Sequence, residues 1–293
     1  MSFAKKLLLT AVVAAPILVG ANSPTQSPTG KRLAYEVASV KRNNSGDFGL
    51  GKIHSEPDGR LTVRGAPLYL VITAAYHLPL DSPRLSGGPD WIRSERYDID
   101  ARPAKGASSS HLSLEQKHAL SMSMLQTLLA DRFQLTIRRE TKELPVYALT
   151  VANNGPKLRK STTDEQACAA SNAPGTKRVP CHRFQGGQGR GLHGTAVNMT
   201  DLVAYAENWT DRPLIDKTGV QVLFDIETEG WASMRPRRFL PPQMTPGAED
   251  PVYINPAPTL FTIFERLGLK MEPQSTPVET YVIERIERPA GKS

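Results

Sequence analysis

The sequence predicts an α+β fold of two similar halves, each with antiparallel strands covered on one face by two helices. Three observations predict it. Three segments carry apolar residues at i, i+3, i+4 and i+7, the inner stripe of a short amphipathic helix, and Leu125, Leu128 and Leu129, extended by Met122, give a fourth. Each is followed by two alternating β-branched or aromatic runs parted by turn residues, so the unit is helix, strand, strand, four times over. The markers Leu68, Leu125, Leu202 and Leu260 are spaced by 57, 77 and 58 residues, which offsets the two pairs by 134 and 135. That regularity suggests an internal duplication.

The first segment reads as an export signal, residues 1–21. Lys5 and Lys6 precede the apolar run Leu7 to Gly20, and Val19-Gly20-Ala21 supplies small residues for cleavage. The run of about 14 residues, with Pro16 inside, is shorter than the roughly 20 a spanning helix needs, so a cleaved signal is the reading and an uncleaved anchor the alternative. No transmembrane span is expected after cleavage. Residues 22–32, with Pro24, Pro28 and Gly30, read as a flexible leader.

The first half covers residues 33–152 and opens with strands around Tyr35–Val40 and Leu61–Val63. Its first stripe is Leu68, Val71, Ile72 and Ala75, followed by strands at Ser82–Ser86 and Arg96–Ala101. The second is Met122, Leu125, Leu128 and Leu129, with Ser113 and Gln116 at capping-box spacing, then strands at Gln134–Glu140 and Val146–Ala152. Residues 153–180 read as a linker without period. The second half, residues 181–289, repeats the scheme. Met199, Leu202, Val203 and Ala206 follow the cap Asn198, and strands are expected at Pro213–Lys217 and Gln221–Thr228. Glu207, just past that stripe, is expected to face water. Residues 231–256 contain six prolines and read as an insert. Leu260, Ile263, Phe264 and Leu267 follow Pro258-Thr259, Gly268 ends that helix, and strands are expected at Leu269–Glu272 and Val278–Ile286.

With 39% hydrophobic and 22% charged residues, 22 glycines and 24 prolines in 293 residues, the chain is neither collagen-like, coiled-coil nor a multi-span membrane protein. Lys and Arg number 36 against 29 acids; without Lys5 and Lys6 the balance is 34 against 29, or +5. The basic residues Lys41-Arg42, Arg138-Arg139 and Arg235, Arg237, Arg238 are scattered, so no nucleic-acid partner is expected.

Export changes how the two cysteines are read. Cys168 and Cys181 are expected to form a disulfide, closing a loop of about 14 residues and contributing up to roughly 3 kcal/mol. The alternative is a nucleophile or metal site using His182. Adjacent residues of an extended segment point to opposite sides, and no Cys-x-x-Cys or His-x-x-x-His spacing completes a ligand set. No metal, cofactor or catalytic residue is assigned.

Two stretches imitate catalytic motifs. Asp216-Lys217-Thr218-Gly219 looks like the phosphorylated aspartate of ion-pumping ATPases, but it lacks the membrane helices and reads as a hairpin turn with Gly219 left-handed. Gly189-Arg190-Gly191-Leu192-His193-Gly194 matches a dinucleotide fingerprint without the preceding buried strand or following helix, and reads as a flexible loop. His54, His77, His111, His118, His182 and His193 sit in unlike contexts. Trp91, Tyr97 and Trp231 are the candidates for a binding surface, whereas Trp209 is expected in the core.

The chain carries, in order, Tyr35-Glu36-Val37-Ala38-Ser39-Val40-Lys41, Gly87-Gly88-Pro89-Asp90-Trp91 with Arg96-Tyr97-Asp98-Ile99, Leu128-Leu129-Ala130-Asp131-Arg132-Phe133 with Leu144-Pro145-Val146-Tyr147, Asp216-Lys217-Thr218-Gly219, and Leu267-Gly268-Leu269. Together these motifs resemble the secreted Solibacter-type proteins of acidobacteria, a family classed as a domain of unknown function. Val282-Ile283-Glu284 stands where the family usually has Val-Ile-Asp. The resemblance implies location and architecture and leaves activity open. The helix-strand-strand units are also similar to the short periplasmic domains of secretins and outer-membrane receptors, which bind protein partners. The expected function is a non-catalytic cell-envelope binding or scaffold protein, its partner an envelope protein or polymer. An envelope hydrolase acting on peptide or glycan and a carbohydrate-binding module are the alternatives.

Overall fold

Two large apolar cores organise the described residues, each where the face of a sheet meets the stripes of two helices. The computed structural model describes residues 33–46, 51–56, 58–105, 114–171, 176, 179–232, 234 and 257–290, all within the unit Leu33–Ser293. The signal 1–21, the leader 22–32, His111, Ser113 and most of the proline-rich insert, from 235 to 256, lie outside the described residues.

In chain order the elements are β1 (Val37–Asn43), β2 (Lys52–Ser55), β3 (Leu61–Pro67), α1 (Leu68–Ala75), β4 (Leu85–Gly87), α2 (Trp91–Ser94), β5 (Arg96–Arg102), α3 (Leu114–Phe133) and β6 (Thr136–Val151). There follow β7 (Arg159–Lys160), α4 (Glu165–Ser171), β8 (Arg183–Gly187), β9 (Gly191–Val197), α5 (Met199–Ala206), a 3-10 turn at Glu207–Trp209, β10 (Leu214–Asp216), β11 (Phe224–Glu227), α6 (Leu260–Arg266) and β12 (Leu269–Arg285). No helix among the described residues is long and apolar enough to cross a membrane.

Among the described residues the fold is mixed α/β with three four-stranded sheets. The first, in the order β1-β5-β3-β2, and the third, β7-β11-β9-β8, are wholly antiparallel. The middle sheet, β10-β6-β12-β4, is mixed: β6 and β12 are antiparallel, and the short strands β10 and β4 add in parallel. The middle sheet draws strands from both parts of the chain, because β4 joins β12 and β10 joins β6.

The four expected stripes form α1, α3, α5 and α6. Asn198 accepts from the Asp201 amide while Asp201 accepts from the Asn198 amide, a complete capping box that starts α5. Thr259 caps α6 by accepting from the Thr262 amide. The first core joins Leu61, Val63 and Ile99 of the first sheet to Leu68 and Ile72 of α1 and Leu125 and Phe133 of α3. The second joins Val197, Phe224 and Ile226 to Leu202 of α5 and Phe264 of α6. Strand β6 runs from Ile137 at the first core to Leu149 in the second, and β12 runs from Leu269 in the second back to Ile283 in the first.

Three expectations need correction. The pairs Gln134–Glu140 with Val146–Ala152, and Leu269–Glu272 with Val278–Ile286, are not hairpins but single strands of 16 and 17 residues. Pro145, Pro273 and Pro277 imitate turns, yet each lies in the ladder where its strand has no second partner. A missing N–H directed at an open edge breaks no bond. Residues 189–194 are not a free loop: Gly191–Val197 form β9, paired with β8. Asp216-Lys217-Thr218-Gly219 leads between different sheets rather than through a hairpin, and its Asp216 carboxylate accepts from the Thr218 amide and hydroxyl at 2.8 and 2.7 Å. Gly219 is left-handed as expected (φ 67°).

Candidate functional site

Gly87 and Gly88 take the chain over β12 with φ of 79° and 78°; a Cβ on Gly88 would meet Ile92 at 2.8 Å. That close passage sets the short helix α2, which buries Ile92 and leaves Trp91 half-buried beside it. The residue after α2, Glu95, is 8% exposed and is the centre of a polar node. Its Oε1 accepts from Arg288 Nε at 2.9 Å and lies 3.2 Å from Arg42 Nη2; its Oε2 accepts from the Tyr97 hydroxyl at 3.0 Å. Burial alone would raise the Glu95 pKa, but the bonds from Arg288 and Tyr97 and the two guanidinium charges hold it below the usual carboxylate range. Tyr97 is pushed up to about 12, first by burial and then by its bond to Glu95.

The node turns its cations outward. Arg42 and Arg288 are 56% and 55% exposed, and the Arg288 guanidinium stands over the Trp91 ring at 4.8 Å from its centroid. Two arginines against one carboxylate leave a charge of +1 beside an indole. Arg42 belongs to β1, which pairs with β5 alone, so no strand covers its other edge among the described residues. Exposed Val37 starts β1, and exposed Leu33 lies four residues before it.

Of the three aromatic candidates, only Trp91 reaches this surface. Tyr97 is 1% exposed and packs edge-on to Phe133, and Trp231 is fully buried, edge-on to Trp209. The structure therefore corrects both: they fill cores, because each ring finds an aromatic partner that its sequence neighbours do not reveal. Trp209, expected in the core, packs against the second core while half-buried.

A second cluster lies where the linker meets β8. Cys168 on α4 and Cys181 stand at disulfide distance, their Cα atoms 5.8 Å apart. His182 holds Asp201 at 2.6 Å through Nδ1 and Glu165 at 3.1 Å through Nε2. Burial opposes the imidazolium charge, but the two carboxylates overcome it and raise the His182 pKa. Both ring nitrogens are thereby engaged by carboxylates. His77 and His118 pack edge to face with centroids 5.5 Å apart, His54 pairs with Glu56, and His193 lies against the Arg190 carbonyl.

The Glu95 node was not legible beforehand: Arg42 and Arg288 lie 53 and 193 residues from Glu95, and only pairing of β1 with β5 brings the first to it. Among known proteins, the model of a family described as a protein of unknown function (DUF3738) matches residues 70–286. No curated protein and no solved structure matches the chain.

Proposed function

We propose that this chain, which belongs to the DUF3738 family, is a non-catalytic binding or scaffold protein of the cell envelope. The observation that carries the reading is the open edge of β1, ending at the Arg42–Arg288–Trp91 corner. Sheets usually blunt their edges with short strands. The other terminal strands here have two to five residues; β1 has seven, and its Val37 is 61% exposed. An extended segment of a protein partner would add to that edge through main-chain bonds, with the cationic corner receiving an acidic side chain or a terminal carboxylate.

Supporting features point the same way. The His182 imidazole, its nitrogens taken by Asp201 and Glu165, is built as an ion-paired strut and not as a general base. The apolar segment behind Lys5 and Lys6 and a disulfide between Cys168 and Cys181 fit an exported, acidobacterial-type chain. The two-half duplication belongs to the same reading. It is supported by the first and third sheets, whose strands run β1-β5-β3-β2 and β7-β11-β9-β8, and by the exchange of β4 and β10 in the middle.

Capture from a native envelope extract on the immobilised chain tests the proposal. The parent should retain a protein that Val37→Lys and Trp91→Ala both lose, with circular dichroism showing both variants folded. Equal retention by all three would overturn the edge reading. Retention of a polysaccharide alone would replace it with sugar binding.

A further inference from the structure

The cluster beside β8 brings together more than a disulfide needs. A carboxylate oxygen of Glu165, Sγ of Cys168 and a ring nitrogen of His182 all lie within 4.8 Å of one another, and Cys181 Sγ adjoins Cys168. In extended chain Cys181 and His182 would point apart. His182 instead adopts a left-handed backbone (φ 50°), which breaks that alternation. Such a conformation is costly for a residue with a Cβ and clusters at functional sites. Asp201 then fixes the ring, holding Nδ1 at 2.6 Å, while the Asn198 amide donates to Asp201 at 3.0 Å. The Nε2 is left directed at Glu165. A histidine whose second nitrogen is held by a carboxylate is the arrangement by which proteins orient a metal ligand.

We propose that Cys168, Cys181, His182 and Glu165 form a redox-gated zinc site, closed as a disulfide when oxidised and binding one Zn(II) after reduction by a dithiol. The dithiol gives two electrons and two protons to the disulfide, becoming itself a disulfide and leaving two thiols. Both thiols and the His182 imidazolium then release their protons to solvent as two Zn–S bonds and one Zn–N bond form, with a Glu165 oxygen as fourth ligand. Tetrahedral zinc with bonds of about 2.0–2.3 Å sets neighbouring ligand atoms roughly 3.3–3.8 Å apart. The 3.1 Å between His182 and Glu165 is already close to that spacing, and Cα atoms 5.8 Å apart let the two sulfurs separate by side-chain rotation. Thiolate and imidazole ligands select zinc over magnesium or calcium. Glu165, 62% exposed, leaves a path for the ion.

Cobalt(II) is the probe, titrated into the full chain in its oxidised form and after anaerobic reduction with a phosphine. Reduced protein should bind one equivalent with a sulfur-to-cobalt charge-transfer band and the intense visible bands of tetrahedral cobalt, and zinc should displace it. Oxidised protein should show neither band. Asp201→Asn should keep the spectrum and weaken zinc about 10–100-fold, the loss of an orienting partner. His182→Ala should lose the tetrahedral spectrum. No charge-transfer band in the reduced parent, or zinc binding by His182→Ala as tight as by the parent, would overturn the proposal. So would a reduced chain that unfolds by circular dichroism and is not restored by zinc.

Discussion

Arg84 and Glu207 form an ion pair between the β4 edge of the middle sheet and the end of α5: Arg84 Nη2 lies 3.2 Å from Glu207 Oε1, with side chains 25% and 9% exposed. Glu207 follows an apolar stripe and was expected to face water. Its partner is 123 positions upstream, and only the placement of β4 against β12 brings it there.

Glu207→Ala removes the carboxylate and leaves a largely desolvated guanidinium. Breaking a fully buried pair costs about 3–5 kcal/mol. The remaining exposure of Arg84 lowers the expected cost to about 1–3 kcal/mol, in line with a hydrogen bond to a charged group. Urea melts measure it; a change under about 0.5 kcal/mol, typical of a surface site, would mean that the pair does not form.

What could be read from sequence was local. The four helices declared themselves because an apolar stripe has a period that needs no partner, and Asn198 and Thr259 marked two starts through bonds made within three residues. The long strands did not, because Pro145, Pro273 and Pro277 signal turns unless the open edges of a two-stranded ribbon are already known. Helix α4 was missed for another reason: Glu165–Ser171 is too short to show a period, and it is held through Cys168. The Glu95 node and the left-handed turn at His182 depend on contacts and dihedrals that no spacing encodes.

Stability should fall at both pH extremes through Glu95 and Tyr97. The Glu95 pKa is lowered in the fold, so its contribution is present above the unfolded carboxylate value of about 4.3 and is lost as pH falls through the folded one. The Tyr97 pKa is raised to about 12, so its contribution is present below the unfolded value near 10 and is lost as pH rises toward 12. Urea unfolding across pH should show a shallower acid limb in Glu95→Gln and a shallower alkaline limb in Tyr97→Phe. Limbs identical to the parent in both variants would contradict the node.

Glycines of the β8–β9 hairpin should separate by what surrounds them. A Cβ added at Gly189 (φ 75°) would have nothing within 4 Å, whereas at Gly191 (φ 81°) that atom would stand 1.9 Å from the Thr228 carbonyl oxygen. Both alanine variants carry the left-handed cost of about 1–2 kcal/mol. Only Gly191→Ala adds a backbone clash, so it should lose distinctly more in a thermal melt. Equal losses would mean that β9 does not pass Thr228 so closely.

The ribbon of β6 and β12 makes each core depend on both parts of the chain. Residues 33–162 contain β6 but lack β12, so Ile283 is missing from the first core and β4 has no partner. Residues 163–290 contain β12 but lack β6, so Tyr147 and Leu149 are missing from the second core and β10 has no partner. Each fragment alone also exposes a strand of 16 or 17 residues along an unpaired edge, a template for aggregation. Expressed singly, the fragments should be insoluble; co-expressed, they should purify together in equal amounts. Cys168 and Cys181 both lie in the second fragment, so a covalent link cannot account for their association. Fragments that fold singly as soluble monomers would show that the ribbon does not hold the two cores together.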